Sequence, residues 1–560
     1  MRKLKLILCL TLSLVIAATQ PAQAARPHDP SATHVVVGNG NPASCSETAF
    51  NTALAQGGSI TFSCGAQAHK IVFTTYKQIG QATLIDGGGL ITLSGNNTTS
   101  LFQVFFNGAL GLNNIILSDA RGLDGFGTID NFGQLLISNS TIQNNNSNAF
   151  NGGAITNHGT LTITDSILFN NQATNPNQAA DPPRGGAIYS DGGTLTITRT
   201  NIISNSAHYG GGIDISAGTL NIIDTAVRRN VGLDGGGILV GQNVTATVRR
   251  SEFSNNIANY GAGMEVSGLA LITNTTFSSN TAQADGGGIW FLNTTGTSQL
   301  NSVTFYQNNA TNGGAINTNG GSVVLKNTAL GHPVLGSVAA ANCVGTDITA
   351  DITNFSTDNT CANATVNLDL KLGPLEDNGG ATLTHLPNRK SPLIDAVDSC
   401  PSIDQRNITR PRGDRCDVGA VEYAPNASIF IPAALRDYVA PFNGTLEVEP
   451  NNTTASANGF LKSNVICVGF PDDLNDYYSF NVANAGPVTI ELTGHIGQNT
   501  NKLQLQLRNA ADQFITYAFA PPFSINIANL STGTYYIRIF YAEPGPYSNN
   551  APYQLRVVYP

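Results

Sequence analysis

The stretch that decides the fold is Phe253-Ser-Asn-Asn256-Ile-Ala-Asn-Tyr260-Gly-Ala-Gly263-Met264-Glu-Val-Ser-Gly268-Leu-Ala-Leu-Ile-Thr-Asn274-Thr-Thr-Phe277. Its glycine-rich turn, followed by an aliphatic residue, recurs along the chain at steps of 33, 25, 25, 26, 25 and 27 residues. The aliphatic positions are Ile155, Ile188, Ile213, Ile238, Met264, Ile289 and Ile316. A fixed period in this range indicates a solenoid, because one unit cannot bury its apolar face without a neighbour.

Within each repeat, short apolar runs alternate with polar residues, which is the period of β-strands. Three strands and three bends per repeat predict an all-β fold, a right-handed parallel β-helix whose coils rise by about 4.8 Å. The expected inward row is Ile142, Leu168, Ile202, Val227, Phe253, Phe277 and Phe305. An asparagine follows three residues after each, at Asn145, Asn171, Asn205, Asn230, Asn256, Asn280 and Asn308. We expect these asparagines to form a hydrogen-bonded ladder between coils.

The N-terminal residues indicate an exported protein, and the composition argues against a nucleic-acid partner. Met1-Arg-Lys-Leu-Lys5, an apolar stretch and Ala22-Gln-Ala24 predict a signal peptide over residues 1–24, and no later segment is apolar enough to span a membrane. Residues 25–371 are expected to form an N-terminal cap, with a short helix near residues 45–54, and the β-helix. Only 11% of residues are charged and the net charge is −9, which argues against a nucleic-acid partner. We expect a monomer that is secreted or displayed on a bacterial surface.

The cysteines also fit an exported protein. Export makes disulfides the expected state, and local pairing is the simplest connectivity: Cys45–Cys64, Cys343–Cys361 and Cys400–Cys416. Cys467 is left over and is expected to be a buried thiol. The histidines do not have the spacing of zinc ligands.

Two stretches before residue 424 carry a family resemblance. The array of Gly-Gly-Ala-Ile or Gly-Gly-Gly-Ile next to Phe-x-x-Asn, over roughly residues 125–330, resembles the repeats of polymorphic outer-membrane proteins. Residues 372–423, with Gly373-Pro-Leu-Glu-Asp-Asn378, Asp404-Gln-Arg406 and Cys416-Asp-Val-Gly-Ala-Val-Glu422, resemble the choice-of-anchor Q segment of bacterial surface β-helix proteins. The second resemblance implies the last coils and a terminal cap.

After a linker at residues 424–446, alternating strands over residues 447–560 predict a small antiparallel β-sandwich. Glu447-Val-Glu-Pro-Asn-Asn452, Asp473-Leu-Asn-Asp476-Tyr-Tyr-Ser-Phe480 and Gly533-Thr-Tyr-Tyr-Ile537 resemble the bacterial pre-peptidase C-terminal (PPC) domain. The resemblance implies a Ca²⁺ site, because acidic and amide side chains hold calcium in relatives. Its implied ligands are Glu447, Glu449, Asn451, Asn452, Asp473 and Asp476. The alternative is that these residues cap strands without a metal.

The candidate functional residues form two rows. If the repeated aliphatic residue points inward, the next residue points outward. This strand row is Asp130, Thr156, Tyr189, Asp214, Leu239, Glu265, Trp290 and Asn317, and a bend row precedes it at Arg184, Tyr209, Asp234, Tyr260 and Asp285. Interleaved aromatic rings and carboxylates suit a polysaccharide, so Tyr189, Tyr209, Asp234, Tyr260, Asp285 and Trp290 are candidate ligand-binding residues.

Three functions remain open on the sequence. The first is binding or adhesion to an extracellular polysaccharide, matrix or surface component. The second is a polysaccharide hydrolase or lyase in which Asp214 and Glu265, two coils and about 9–10 Å apart, form the catalytic pair. The third is a structural spacer without a ligand. The first two differ in whether the carboxylates are partly buried, and the third predicts no exposed aromatic row.

Overall fold

The computed structural model describes residues 33–122, 127–148, 151–174, 182–294, 296–331, 341–361, 363–423, 453–454, 457–464, 466–469, 475–493, 503–518, 523–541 and 553–560. The predicted signal peptide and linker lie outside these residues. So do five of the six implied calcium ligands, Asp476 being the exception.

The repeats form a parallel β-helix of about 12 turns, as the sequence predicted. One side is an 11-stranded parallel sheet, the first sheet, in which each coil contributes one short strand. Its strands are Lys77–Ile79, Phe102–Val104, Ile129–Asn131, Ile155–Asn157, Ile188–Ser190, Ile213–Ile215, Ile238–Val240, Met264–Val266, Ile289–Leu292, Ile316–Asn319 and Cys343–Val344. The predicted aliphatic positions pair directly from coil to coil, so the register inferred from the glycine turns is confirmed.

A second, 22-stranded sheet wraps around the other sides of the coils. Its strands are His34–Val37, Gly58–Phe62, His69–Val72, Ala82–Ser94, Ala109–Ser118, Gln134–Ser138, Thr141–Gln143, Thr160–Thr164, Ile167–Phe169, Thr194–Thr198, Asn201–Ile203, Thr219–Ile223, Ala226–Arg228, Thr245–Arg249, Glu252–Ser254, Leu269–Ser278, Thr297–Tyr306, Ser322–Lys326, Ala329–Gly331, Ile348–Thr349, Phe355–Ser356 and Thr365–Val366. The expected inward row is buried, and Phe253, Phe277 and Phe305 stack with ring centroids 4.7 and 4.9 Å apart.

The predicted asparagine ladder is present from Asn145 to Asn308. The Nδ2 of each asparagine donates to the Oδ1 of the next over 2.8–3.1 Å. At Asn230, Oδ1 accepts from both the backbone N–H and Nδ2 of Asn205, while Nδ2 donates to the Ile202 carbonyl and to Asn256. Every polar atom of this buried amide is therefore satisfied by neighbouring coils.

A short bridging segment joins the asparagine bend to the glycine turn of the next strand. It pairs between coils as Arg121–Gly122, Asn146–Ser147 and Gln172–Ala173, and again as Ile257–Tyr260 and Thr281–Asp285. At the turn itself, Gly210 has a φ of +60°, and a Cβ there would lie 2.3 Å from the Ile213 carbonyl oxygen. Only glycine fits such a position, so the turn requires it.

The first coil is covered by one helix, Glu47–Gln56. Ser46 caps its N-terminus by accepting from the backbone N–H of Ala49, and Phe50 is buried in the β-helix core. The Cys45–Cys64 disulfide ties the start of this helix to a neighbouring strand. The predicted cap helix is therefore present, about two residues later than expected.

Residues 372–423 form a clamp segment on the side of the β-helix, which corrects the expectation that they supply its last coils. They contain an antiparallel hairpin, Leu372–Glu376 with Thr384–Pro387, and irregular structure tied by the Cys400–Cys416 disulfide. The segment runs back along earlier coils: Asn274 donates to the Ile403 carbonyl, Ser278 bonds His385, and Thr304 accepts from the Ala420 N–H. The chain turns back because the stacked strands already end at Thr365–Val366, close to the Cys343–Cys361 disulfide.

The C-terminal part is a two-sheet β-domain, as predicted. Its five-stranded sheet contains Asn458–Phe460, Asn475–Val482, Gly533–Tyr541, Leu503–Asn509 and Phe514–Ala518, and its four-stranded sheet contains Ile466–Gly469, Tyr553–Val558, Gly486–Thr493 and Phe523–Leu530. Tyr478 and Phe480 from one sheet share a core with Ile490 and Val557 from the other. Cys467 is buried in the same core, as expected.

The ladder leads to a stability prediction for Asn230→Ala. The substitution leaves the backbone N–H and Nδ2 of Asn205 without their acceptor, and each buried unsatisfied group costs about 1–3 kcal/mol. We expect the urea midpoint of the β-helix to fall, measured by the fluorescence of Trp290, the only tryptophan in the chain. Asn319→Ala removes an exposed asparagine and should change stability by less than about 0.5 kcal/mol. Equal effects of the two substitutions would contradict a structural role for the ladder.

Candidate functional site

The strand row is in register on the first sheet. Asp214 pairs with Tyr189 on one side and Leu239 on the other, and Glu265 pairs with Leu239 and Trp290. The row also lies outside the apolar core, as predicted: Ile289 and Phe291 belong to the core cluster, and Trp290 between them does not.

The row is not the solvated surface that outward alternation suggests. Asp214 is fully buried, and Glu265 and Trp290 are only 6% and 8% exposed, while Tyr189 is half-buried. The expectation of an exposed strand row is therefore wrong for its two carboxylates and its tryptophan. The reason is the bridging segment, which folds across the outer side of the first sheet.

The bend row covers the strand row. Its members pair in order through parallel bridges, Arg184 with Tyr209, Tyr209 with Asp234, Asp234 with Tyr260, and Tyr260 with Asp285. All five are half-buried, so each presents part of its side chain to solvent. The bend row is therefore the outer layer of the site and the strand row is the inner layer.

The two rows contact each other diagonally, from the bend of one coil to the strand of the next. Arg184 Nη1 lies 3.1 Å from Asp214 Oδ2. The Tyr260 and Trp290 rings stack with centroids 4.8 Å apart and planes at 29°. Asn317 Nδ2 donates to Asp285 Oδ1 over 3.0 Å. We call this pair of layers the two-row face.

Burial sets the protonation of Asp214. It raises the pKa of this carboxyl to about 6, and the opposing charge and hydrogen bond of Arg184 limit the rise. Only Oδ2 is satisfied, because Oδ1 is buried without a hydrogen-bond partner. At neutral pH Asp214 is therefore ionised and paired with Arg184.

Glu265 is in the opposite state. Burial, together with the smaller effect of the nearby charges of Asp234 and Asp214, raises the pKa of Glu265 to about 8. At neutral pH Glu265 therefore carries a proton. Its Oε2 is buried without a hydrogen-bond partner. Asp234, in the bend row, has a pKa raised by burial and lowered by the charge of His208.

The candidate catalytic carboxylates are separated by one strand, that of Leu239. Two strand spacings place their backbones about 9–10 Å apart, at the upper end of the range for inverting glycosidases. However, Asp214 Oδ1 and Glu265 Oε2 are both shielded from solvent by the bend row. A substrate would reach them only after bend-row side chains moved aside.

The structure also shows which site residues the sequence reasoning missed. Every strand-row residue follows its bend-row counterpart by five positions, so the same offset extends the bend row to Asn151 and Asn312. Asn312 Nδ2 donates to Asp285 Oδ1 over 2.8 Å and so fixes this carboxylate. The signal was present in the repeat spacing, but a search for charged and aromatic residues passes over asparagine.

One further group at the same face was missed. His158 lies 2.6 Å from Asp191 and 3.4 Å from Asp130, and its ring stacks on Phe132. The hydrogen bond to Asp130 is the largest cause of the raised pKa of His158. His158 therefore lies between the carboxylates of Asp130 and Asp191, where a positive charge on its ring offsets their negative charge.

The implied calcium site is described at one residue only. Asp476 is buried on the strand Asn475–Val482 of the C-terminal domain. Glu447, Glu449, Asn451, Asn452 and Asp473 lie outside the described residues. Within the described part of the chain, no three His, Cys, Asp or Glu side chains come together as a metal site. Calcium binding by this domain stays a prediction.

Comparison with known proteins identifies the C-terminal domain. Residues 474–540 match the family model of the bacterial pre-peptidase C-terminal domain. The pre-peptidase C-terminal domain of collagenase from Bacillus anthracis is 22% identical over 18% of this chain and 95% of that chain, with a TM-score of 0.16. The enzymatically active domain of tailspike protein 4 from bacteriophage CBA120 is 11% identical, with a TM-score of 0.26. That alignment covers 91% of this chain and 65%, just under two thirds, of the other. No curated protein gives a significant match.

The chain is therefore a β-helix protein with a C-terminal PPC domain. Its C-terminal unit is a PPC domain, a bacterial extracellular module, and its three disulfides fit an oxidising compartment. Within the residues that the structure describes, no helix is long and apolar enough to cross a membrane.

The protonation of Glu265 predicts how stability depends on pH. Because the folded-state pKa, about 8, exceeds the ordinary 4.5, its contribution is complete below about pH 4.5 and is lost as the pH rises to 8. At about 1.36 kcal/mol per pKa unit, the full loss is on the order of 5 kcal/mol. We expect the urea midpoint, followed by Trp290 fluorescence, to fall between about pH 5 and 8 less in Glu265→Gln than in the wild type. Asp347→Asn, an exposed carboxylate elsewhere, should retain the wild-type slope. Identical slopes for wild type and Glu265→Gln would contradict a buried proton on Glu265.

Proposed function

We propose that this protein binds an extracellular glycan along the two-row face. The observation that carries the proposal is the order of the bend row: the half-buried rings of Tyr209 and Tyr260 alternate with the half-buried carboxylates of Asp234 and Asp285. Rings pack against the apolar faces of sugars, and carboxylates accept hydrogen bonds from hydroxyl groups. A row repeating at about one strand spacing offers such contacts in a straight line.

Contacts within the bend row and between the two rows hold these side chains in place. Trp290 supports the Tyr260 ring, Asn312 and Asn317 fix the Asp285 carboxylate, and Arg184 lies over the Tyr209 ring with its Cζ 5.0 Å from the centroid. Side chains that are already held in place lose little conformational entropy when a ligand binds. The proposed partner is an extracellular polysaccharide, or a matrix or surface component that carries glycans.

Tyr260→Ala tests this proposal. The substitution removes the half-buried Tyr260 ring while leaving the Trp290 side chain in the inner layer, and an aromatic contact contributes about 0.5–1.5 kcal/mol beyond its buried area. We expect about a tenfold loss of affinity for the bound polysaccharide, measured by affinity electrophoresis across a panel of neutral, acidic and amino-sugar polymers.

The matched control is Tyr76→Ala, because Tyr76 is an exposed tyrosine of the first coils outside the two-row face. It should bind as the wild type does. No retention of the wild type by any polysaccharide would reject glycan binding and leave the β-helix as a structural spacer.

A second candidate is glycoside hydrolysis, favoured by the protonation states of the inner carboxyls. An inverting glycosidase needs one protonated carboxyl as general acid and one carboxylate as general base. At neutral pH Glu265 holds a proton and Asp214 is ionised, which matches that division. Glu265 would protonate the glycosidic oxygen and Asp214 would activate water, once the bend row had opened over both groups.

This alternative predicts release of reducing ends from a polysaccharide by the purified protein. The double variant Asp214→Asn with Glu265→Gln should abolish the release, because both proton-transfer groups are lost. The control is again Asp347→Asn, which changes one exposed carboxylate away from the face. Binding without any release of reducing ends would reject hydrolysis and leave glycan binding in place.

A further inference from the structure

We propose that the middle of the bend row, where Asp234 lies between Tyr209 and Tyr260, binds the protonated primary amine of an amino-sugar unit. This inference rests on the proposed glycan binding and names the class of glycan. The expected ligand is a polymer of sugars that carry free amines, such as 2-amino-2-deoxyglucose units. A neutral or uronic-acid polymer is expected to bind less well.

Asp234 is a carboxylate without an ion pair in the described part of the chain, although the charge of His208 acts on it and partly offsets the rise in pKa that burial causes. It is half-buried, and no described residue donates a hydrogen bond to its side chain or forms an ion pair with it. Its neighbours along the row are Tyr209 and Tyr260, each one coil away, or about 4.8 Å along the stack. A half-buried carboxylate in this position favours a positively charged partner.

A second carboxyl lies beneath it. Glu265, on the strand of the next coil, is only 6% exposed, and its Oε2 has no hydrogen-bond partner. The charge of Asp234 acts on Glu265 strongly enough to help hold the proton there. By contrast, Asp214 on the same strand row has Arg184 as its counter-ion. Asp234 and Glu265 therefore lie close enough to interact, and no described residue forms an ion pair with either carboxyl group, although the charge of His208 acts on Asp234.

The flanking rings complete the site. Arg184 covers one side of the Tyr209 ring and comes from the coil before it, away from Asp234. Trp290 covers one side of the Tyr260 ring and comes from the coil after it, also away from Asp234. The other side of the Tyr260 ring therefore faces the coil of Asp234. The His208 ring packs edge-on against the Tyr209 ring with centroids 4.6 Å apart, and the backbones of Tyr209 and Tyr260 are two coils, about 9–10 Å, apart.

This combination suits an ammonium group better than the other candidate ligands. An ammonium ion is attracted to aromatic faces and donates three hydrogen bonds, which two carboxyl groups and a tyrosine hydroxyl can accept. Calcium requires six to eight oxygen ligands, and no cluster of three metal-binding side chains exists among the described residues. A uronic-acid carboxylate would be repelled by Asp234.

The experiment is calorimetric titration of the full mature chain with three tetrasaccharides, at about pH 6, where an amino group is protonated. The probes are the tetramer of 2-amino-2-deoxyglucose, its fully N-acetylated form, and the tetramer of galacturonic acid. We expect the amine form to bind at least about tenfold more tightly than the acetylated form, and the galacturonate not to bind.

Asp234→Asn keeps the shape of the side chain and should abolish the preference for the amine, so that both glucosamine forms bind equally. Asp347→Asn removes the same charge from an exposed site elsewhere and should retain the preference. Thermal unfolding of both variants at the wild-type temperature establishes that the β-helix is intact.

The outcomes separate this inference from the glycan-binding proposal. Equal binding of amine and acetylated tetramers by the wild type would overturn the amine site while glycan binding stood. Persistence of the preference in Asp234→Asn would also overturn it. If no tetramer binds and no polysaccharide of the panel is retained, glycan binding itself fails.

Discussion

The hydrogen-bonded ladder of buried asparagines is the constraint on which the rest of this structure depends. Each amide uses both of its groups between coils, so a shift of one residue would leave buried donors and acceptors unpaired along the whole stack. The ladder therefore fixes where each bridging segment begins. In most coils eight or nine residues lead from the ladder asparagine through the glycine turn to the aliphatic residue of the next strand, so side chains many residues apart in sequence fall into straight rows.

The same regularity explains the unusual electrostatics of the two-row face. Because the glycine turn bends the chain sharply, the bridging segment folds back over the first sheet and covers the strand residue of the following coil. The covered residues lose solvent without gaining enough partners. Asp214 retains Arg184, whereas Glu265 faces only other acids, and so the pKa of Glu265 rises further. The raised pKa values follow from the repeat geometry.

Much of this fold could be predicted from the sequence, because repetition makes each inference testable several times. The position of Ile213 in the strand, the inward row at Phe253 and the asparagine bend at Asn230 all follow from spacing. The disulfides followed from proximity in sequence. The burial of Asp214 did not follow, since alternation along a strand says which side a residue faces but not what covers that side. The clamp segment was also misplaced, because its contacts with Asn274 and Thr304 join residues more than a hundred positions apart that no repeat relates.

The proton on Glu265 bears on both candidate activities, and each places a different demand on it. A general acid must touch the glycosidic oxygen, so Glu265 would need an open path to a substrate, and its free oxygen is covered. A cation site makes no such demand, because a positive charge held by Asp234 acts on Glu265 through the short distance between them. Binding an ammonium ion there would lower the pKa of Glu265, because a nearby positive charge stabilises the ionised carboxylate. The face as it stands, with its outer layer closed over the inner carboxyls, is therefore better suited to holding a charged sugar than to cleaving one.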